Sequence, residues 1–274
     1  MHSTVSDGTD TPAEIILRVK EAGIGLFSLT DHDAVKGSGE IKGLLKEGDP
    51  LFIPGAEFSC KDEDGKYHIL GYGYDPDSEA MKALVELGHS YRISKVKKRL
   101  DFIAEEFGFV FPEEEIEKLF ALDNPGKPHI GNLMVKYGYA PSKETAIKEY
   151  INKFKARSEY VRPEEAIEGI LGSGGIPVLA HPSYGSGGEL IVGDEMDARL
   201  RKLTGFGLRG VEAYYSGFTA KLRWEMLNFA GQYDLFVTAG SDYHGTNKLV
   251  RLADTGLYPG TLPHRLEKFL EEVL

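Results

Sequence analysis

The stretch Leu26-Phe27-Ser28-Leu29-Thr30-Asp31-His32-Asp33 decides the fold. Its apolar opening breaks abruptly into polar residues, which is how a buried parallel strand delivers side chains at its carboxyl end. Upstream, the sequence predicts a helix. Thr11 is its cap, Pro12 takes the first helical position, and Glu14 closes a capping box before Ile15, Ile16, Leu17 and Val19, with Gly23 as the stop. Downstream the strand pattern recurs at 51–53, 68–72, 176–179, 210–214 and 235–238, with helical stretches such as 164–171 and 221–230 in between. Alternation of this kind predicts an α/β fold on a parallel sheet, and closing that sheet makes a barrel.

In such barrels the active site lies at the carboxyl ends of the strands. Asp31-His32, Glu57, His181 and Asp242-His244 fall there. His68 does not, because it stands at the beginning of its strand. Between 76 and 156 the pattern changes to helices alone, predicted at 79–87, 91–107, 112–119, 129–137 and 142–154. That length is too great for a connection and too apolar for a disordered linker. The expected organisation is a discontinuous barrel over 1–75 and 157–274, with an all-helical insertion over 76–156 capping its mouth.

Composition narrows the function. No apolar run approaches the ~20 residues needed to span a bilayer, and the N-terminal stretch is polar, so a cytoplasmic protein without membrane partners is expected. The single cysteine, Cys60, excludes an intramolecular disulfide and reads as a small buried residue. A net charge of −11 argues against duplex DNA, whose affinity comes from Lys and Arg on phosphates. It leaves room for a small anionic substrate and suits a protein whose carboxylates converge on cations. The sequence specifies no protein partner. The Gly185-Ser186-Gly187-Gly188 stretch lacks the Lys-Ser/Thr of a phosphate-binding loop and reads as a connection.

Chemistry concentrates in short contexts: His2-Ser3, Ser6-Asp7-Gly8, Thr30-Asp31-His32-Asp33, Gly55-Ala56-Glu57, Tyr67-His68, Ala180-His181-Pro182 and Ser241-Asp242-Tyr243-His244. A lone His after a strand is ordinarily a hydrogen-bonded structural residue. Imidazoles and carboxylates gathered in this number suit first-row divalent metals, with no thiolate in the set.

On these same motifs the chain resembles the polymerase and histidinol phosphatase family over nearly its whole length. The resemblance implies a distorted barrel of seven strand–helix units with metals at one mouth. It implies one ion on His2, Glu57 and Asp242, a second on Glu57, His68 and His181, and a third on Asp7, His32 and His244. His32, Glu57 and Asp242 form the catalytic centre in this reading, with Asp31 and Glu212 orienting ligand imidazoles. Two or three ions are implied, with Mn, Fe or Zn favoured and Mg admitted. The family's opening Asp-x-His-x-His is represented here only from Met1-His2-Ser3 onward. Either an internal Met has been taken as the start, or a ligand to the first ion is lost.

Within the insertion, Lys127-Pro128-His129-Ile130 and Arg92 resemble family members that hydrolyse nucleoside 3′,5′-bisphosphates and short oligonucleotides. The resemblance makes Arg92 and His129 substrate-phosphate contacts. The expected activity is a metal-dependent phosphoesterase acting on phosphate monoesters, such as the 3′-phosphate of a nucleoside 3′,5′-bisphosphate, through a metal-activated hydroxide. The alternatives are a histidinol-phosphate phosphatase or amidohydrolase on the same scaffold, or a catalytically silent metal- or nucleotide-binding module.

Overall fold

The first helix forms where its capping signature lies. In this computed structural model, which describes residues 1–122, 124–155, 160–185, 189–258, 260 and 262–274, the Thr11 hydroxyl accepts the Glu14 N–H at 3.3 Å. The Glu14 carboxylate returns the bond to the Thr11 N–H at 2.7 Å. Helix α1 (Pro12–Glu21) then buries Ile15, Ile16 and Val19 against Phe27, Leu29 and Ile41. Residues 186–188 and 156–159, where the glycine-rich stretch and the expected end of the insertion fall, lie outside the described residues.

Strand β1 (Leu26–Phe27) is followed by α2 (Lys36–Leu44) and pairs in parallel with β2 (Leu51–Phe52). A second sheet has the order β3-β4-β5-β6-β7. It consists of β3 (Gly55–Asp62), β4 (Gly65–Tyr72), β5 (Ile176–Leu179), β6 (Gly210–Tyr215) and β7 (Phe236–Gly240). The three last strands are parallel, as alternation with helices requires. β4, however, runs antiparallel to both β3 and β5.

The expected all-parallel sheet is therefore corrected by a hairpin. Its turn is Glu63-Asp64, and Gly65, which opens β4 opposite Asp62, takes φ 137°, a backbone conformation open to glycine. The reversal also explains His68. Because β4 runs backwards, its beginning lies beside the end of β5, where the Ala180 N–H donates to the His68 carbonyl at 3.0 Å.

Pairing among the described residues gives a two-stranded and a five-stranded sheet rather than one closed ladder. A parallel bridge between His32 and Glu57 joins the chain after β1 to β3. The first two residues run between the segments that follow β1 and β7: the Thr30 N–H donates to the Met1 carbonyl at 2.9 Å, and the His2 N–H to the Tyr243 carbonyl at 2.8 Å.

Helices α3 (Glu79–Phe107), α4 (Glu113–Phe120), α5 (Lys127–Lys136) and α6 (Lys143–Thr145) fill the middle of the chain. They are followed by α7 (Pro163–Gly172) and α8 (Gly193–Gly205), then by α9 (Ala220–Gln232) and α10 (His264–Val273). α7 packs on β4, α9 on β6 and α10 on β7. Two compact units result, one of Met1–Val85 with Val161–Leu274 and one of Glu86–Tyr160.

The second unit has an apolar core that includes Val96, Ile103, Ile130 and Met134, with Phe109 stacked on Tyr139 at 4.4 Å. Two helices expected at 79–87 and 91–107 are one continuous helix through Gly88. A lone interior glycine costs only about 1 kcal/mol relative to alanine, too little to break a helix of strong formers. The helix expected over 142–154 is instead α6, a π-helical turn (Ala146–Tyr150) and a 3-10 turn (Ile151–Lys153). Among the described residues no helix is long and apolar enough to cross a membrane.

Candidate metal centre

Glu57 lies near the start of β3, locked to the turn that carries His32. Its N–H donates to the Asp31 carbonyl at 3.1 Å, and its carbonyl accepts the Asp33 N–H at 2.9 Å. The buried carboxylate divides its two oxygens. Oε2 is 3.0 Å from His2 Nε2, while Oε1 is 2.7 Å from His68 Nδ1 and 3.2 Å from His181 Nε2. Those last two ring nitrogens are themselves 3.1 Å apart.

The cluster continues from the other side of His2. Its Nε2 is 3.3 Å from Asp242 Oδ1 and its Nδ1 is 3.8 Å from Asp7 Oδ1, which lies 3.3 Å from His244 Nε2. His2 stacks on His244 at 4.0 Å, and the His32 ring centre is 4.4 Å from that of His2 and 5.0 Å from that of His68.

All eight ligand candidates named from the sequence meet in this one region. Donor atoms of His2, Asp7, His32 and His244 lie within 4.8 Å of one another, as do those of His32, Glu57 and His68, and those of His2, Glu57 and Asp242. The grouping differs in detail from the three ligand sets that the resemblance implies. His2 and His32, like Glu57, are each common to two groups, and His181 joins through Glu57 and His68.

Strained and fixed backbone positions these donors. His181 and Asp242 adopt φ 28° and 55°, in the left-handed region that non-glycine residues enter at a cost of roughly 1–3 kcal/mol. His181 is held there by Glu212, whose Oε2 accepts its backbone N–H at 2.8 Å. Asp31 accepts from the Ser3 N–H and hydroxyl, both at 2.7 Å, and from the Ser6 hydroxyl at 2.6 Å. Both acids thus act on the backbone and loop that carry the candidate ligands His181, His2 and Asp7. Gly8 meets the His2 carbonyl so closely that a Cβ there would collide with it.

Burial and charge oppose each other throughout the cluster. Burial alone would push the His2 imidazole down, but Asp242 and Glu57 raise it to about 9. His32 goes the other way, lowered by burial to about 3. Burial resists ionisation of Glu57, yet the surrounding His32, His68, His181 and His2 rings hold its carboxyl well below the usual range. Asp242 is likewise held low by His2 and Lys248 against its burial. Glu212, buried, is raised to about 7.

Both His2 ring nitrogens are buried without a hydrogen bond; the nearby carboxylates reach ion-pair distance but not hydrogen-bond alignment. Buried polar atoms of this kind are costly unless something satisfies them. Imidazole lone pairs and carboxylates converging on common points fit divalent cations.

Arg92 and His129 belong to the helical unit. His129 Nδ1 accepts the Gly126 N–H at 3.1 Å, so one of its nitrogens caps α5, and burial with Arg92 nearby lowers its pKa. Two residues not singled out in the sequence touch the cluster. The Tyr215 hydroxyl and the Lys248 ammonium donate to Asp242 Oδ2 at 3.1 and 2.7 Å. Lys248 stands six residues after Asp242, and Tyr215 ends β6, but neither residue type marks a metal site. Cys60 is buried as expected, which pushes its thiol up.

No family model matches the chain. Among curated proteins it is 28% identical to a 5′-3′ exoribonuclease of Haemophilus influenzae, covering 89% of this chain and 88% of that one. It is 29% identical to the phosphoribosyl 1,2-cyclic phosphate 1,2-diphosphodiesterase of Eggerthella lenta, over 89% and 92%. It is 27% identical to the 3′,5′-nucleoside bisphosphate phosphatase of Chromobacterium violaceum, over 89% and 85%. A solved structure from Bifidobacterium adolescentis, assigned as a metal-dependent phosphoesterase, superposes with a TM-score of 0.80 at 25% identity, covering 100% of this chain and 94% of that one. These similarities agree with the resemblance read from the motifs.

Proposed function

We propose that this chain, a homologue of metal-dependent phosphoesterases of the polymerase and histidinol phosphatase type, hydrolyses phosphate monoesters of nucleotides. Its preferred substrate in this reading is the 3′-phosphate of a nucleoside 3′,5′-bisphosphate, with short oligonucleotides as a second class. The observation that carries the proposal is the division of the Glu57 carboxylate between His2 on one oxygen and His68 with His181 on the other. A carboxylate can serve two cations in this way, whereas an imidazole nitrogen serves one.

His2, Glu57, Asp242, His68, His181, Asp7, His32 and His244 would hold two or three ions, with Mn, Fe or Zn preferred and Mg accepted. Bound there, such ions supply an acidified water and charge neutralisation toward a phosphate ester. The protein's own contribution is preorganisation. Glu212 keeps His181 in its strained backbone, and Asp31 keeps the His2–Asp7 segment in place, so little reorganisation accompanies reaction. Arg92 and His129 are assigned to the substrate phosphate on the resemblance, within a helical insertion over 76–156 on a seven-unit barrel. A guanidinium there would give the planar two-point contact that phosphate accepts.

Relatives of 27 to 29% identity carry names with three different substrates, and a phosphate ester is common to all of them. The shared chemistry is thus at phosphorus, and the leaving group is what varies. The test is hydrolysis by Mn-, Fe- or Zn-reconstituted protein of a nucleoside 3′,5′-bisphosphate and a ribosyl cyclic phosphate, read as released phosphate, and of a 5′-phosphorylated short RNA, read as released mononucleotide. The first should be turned over fastest, and His181→Ala should lose metal and turnover together. Retention of both by that variant overturns the assignment. Nucleotide binding without turnover of any ester would make the chain a silent binding module.

A further inference from the structure

Asp242 offers its two oxygens to different partners. Oδ1 faces the cluster, 3.3 Å from His2 Nε2 and 3.5 Å from His244 Nδ1. Oδ2 faces away and accepts from Lys248 Nζ at 2.7 Å and from the Tyr215 hydroxyl at 3.1 Å. The two donors differ in their surroundings. Tyr215 is packed among His181, Phe218 and Tyr184, with ring centres 5.6, 5.3 and 6.1 Å away. Lys248 has a side chain 44% exposed, against 10% for the carboxylate it meets.

Its loop is nonetheless fixed. The Thr246 N–H donates to Thr9 Oγ1 at 2.9 Å, and the Asn247 amide donates to the Asp7 carbonyl at 2.7 Å. That ties Lys248 to the N-terminal segment that carries His2 and Asp7. A fixed loop thus delivers a half-exposed ammonium to the rim of a cluster of carboxylates and imidazoles.

A carboxylate shared between an ammonium and a divalent cation is contested. Cations bound at Asp242 and its neighbours would repel Nζ and draw off the negative charge that holds it, leaving a flexible point charge with three donors beside the place where a phosphoryl group arrives. We propose that Lys248 is a substrate-phosphate ligand of the metal-loaded protein, parked on Asp242 until cations displace it. The proposal deepens the phosphoesterase reading and rests on it.

Full-length protein loaded with Mn, titrated calorimetrically with inorganic phosphate, tests it. Lys248→Met should bind Mn as tightly as the parent or more tightly, since a competing charge is gone. Its affinity for phosphate should fall about tenfold, and KM for the ester should rise with it, as expected for loss of one charge-assisted contact. Lys248→Arg keeps a cation on a long stem and should recover most of the phosphate affinity. If phosphate affinity per bound metal is the same in Lys248→Met as in the parent, or if only metal affinity falls, Lys248 merely positions Asp242 and the proposal fails. Phosphate binding that depends on Lys248 in a protein that hydrolyses no ester would keep this inference and sink the catalytic one.

Discussion

Both units of this chain bury an apolar core, and only one also buries a cluster of ionisable groups. Around Ile103, Ile130 and Met134 the helical unit buries hydrocarbon, whose removal from water favours folding directly. Around Glu57 the α/β unit buries imidazoles and carboxylates, with His2 only 1% and Glu57 2% exposed. Burial of such groups opposes folding unless they are paired or neutralised. The contrast marks the first region as scaffold and the second as a place where stability is given up for chemistry.

The contrast can be broken most severely at Glu57. Glu57→Gln removes the negative charge that four imidazoles face, and phosphate release by the reconstituted protein should fall on the order of a thousandfold with metal content. A variant with full metal by elemental analysis and full turnover would remove Glu57 from the centre of the site. In the other unit, Ile130→Ala should cost about 2–5 kcal/mol of unfolding free energy in urea. Metal per folded molecule should not change, and a parallel loss of metal would mean that the two regions are not separable in this way.

Smaller effects sharpen the comparison. Gly240 lies against the Glu212 carboxylate with no room for a Cβ. Gly240→Ala should therefore push Glu212 from the His181 backbone and lower turnover by about 10–100-fold, as for loss of a supporting residue. Turnover equal to the parent would show that His181 keeps its place without Glu212.

The mildest effect is on pH. His2 is raised to about 9 and His181 is raised as well. Their charged forms stabilise the metal-free fold fully below the ordinary value of 6.5, and that contribution is lost as pH rises through about 9. The urea midpoint of metal-free protein should therefore fall between pH 6.5 and 9. That of metal-loaded protein should hold or rise, because ligation needs neutral imidazole. A flat midpoint without metal would show that these rings are not held protonated.

Much of the site was legible because its residue types are conspicuous where they occur. Histidines and carboxylates following short apolar runs, as at Thr30-Asp31-His32-Asp33 and Ala180-His181-Pro182, report the ends of buried strands. The capping box at Thr11 and Glu14 is a local interaction and needs no tertiary partner. The direction of β4 was less legible, because a buried apolar run reads alike in either direction and the short turn at Glu63-Asp64 has to outweigh the alternation around it. Lys248 and Tyr215 carried no local signal at all.

By itself, then, the amino-acid sequence determined the α/β class, the all-helical middle of the chain and the donor types available for cations, since periodicity and residue chemistry are local properties. Only the tertiary structure decided that β4 reverses, that Glu212 holds the His181 backbone and that Lys248 rests on Asp242. Those facts depend on distances between residues remote in the chain, and such distances are set by how the strands pair.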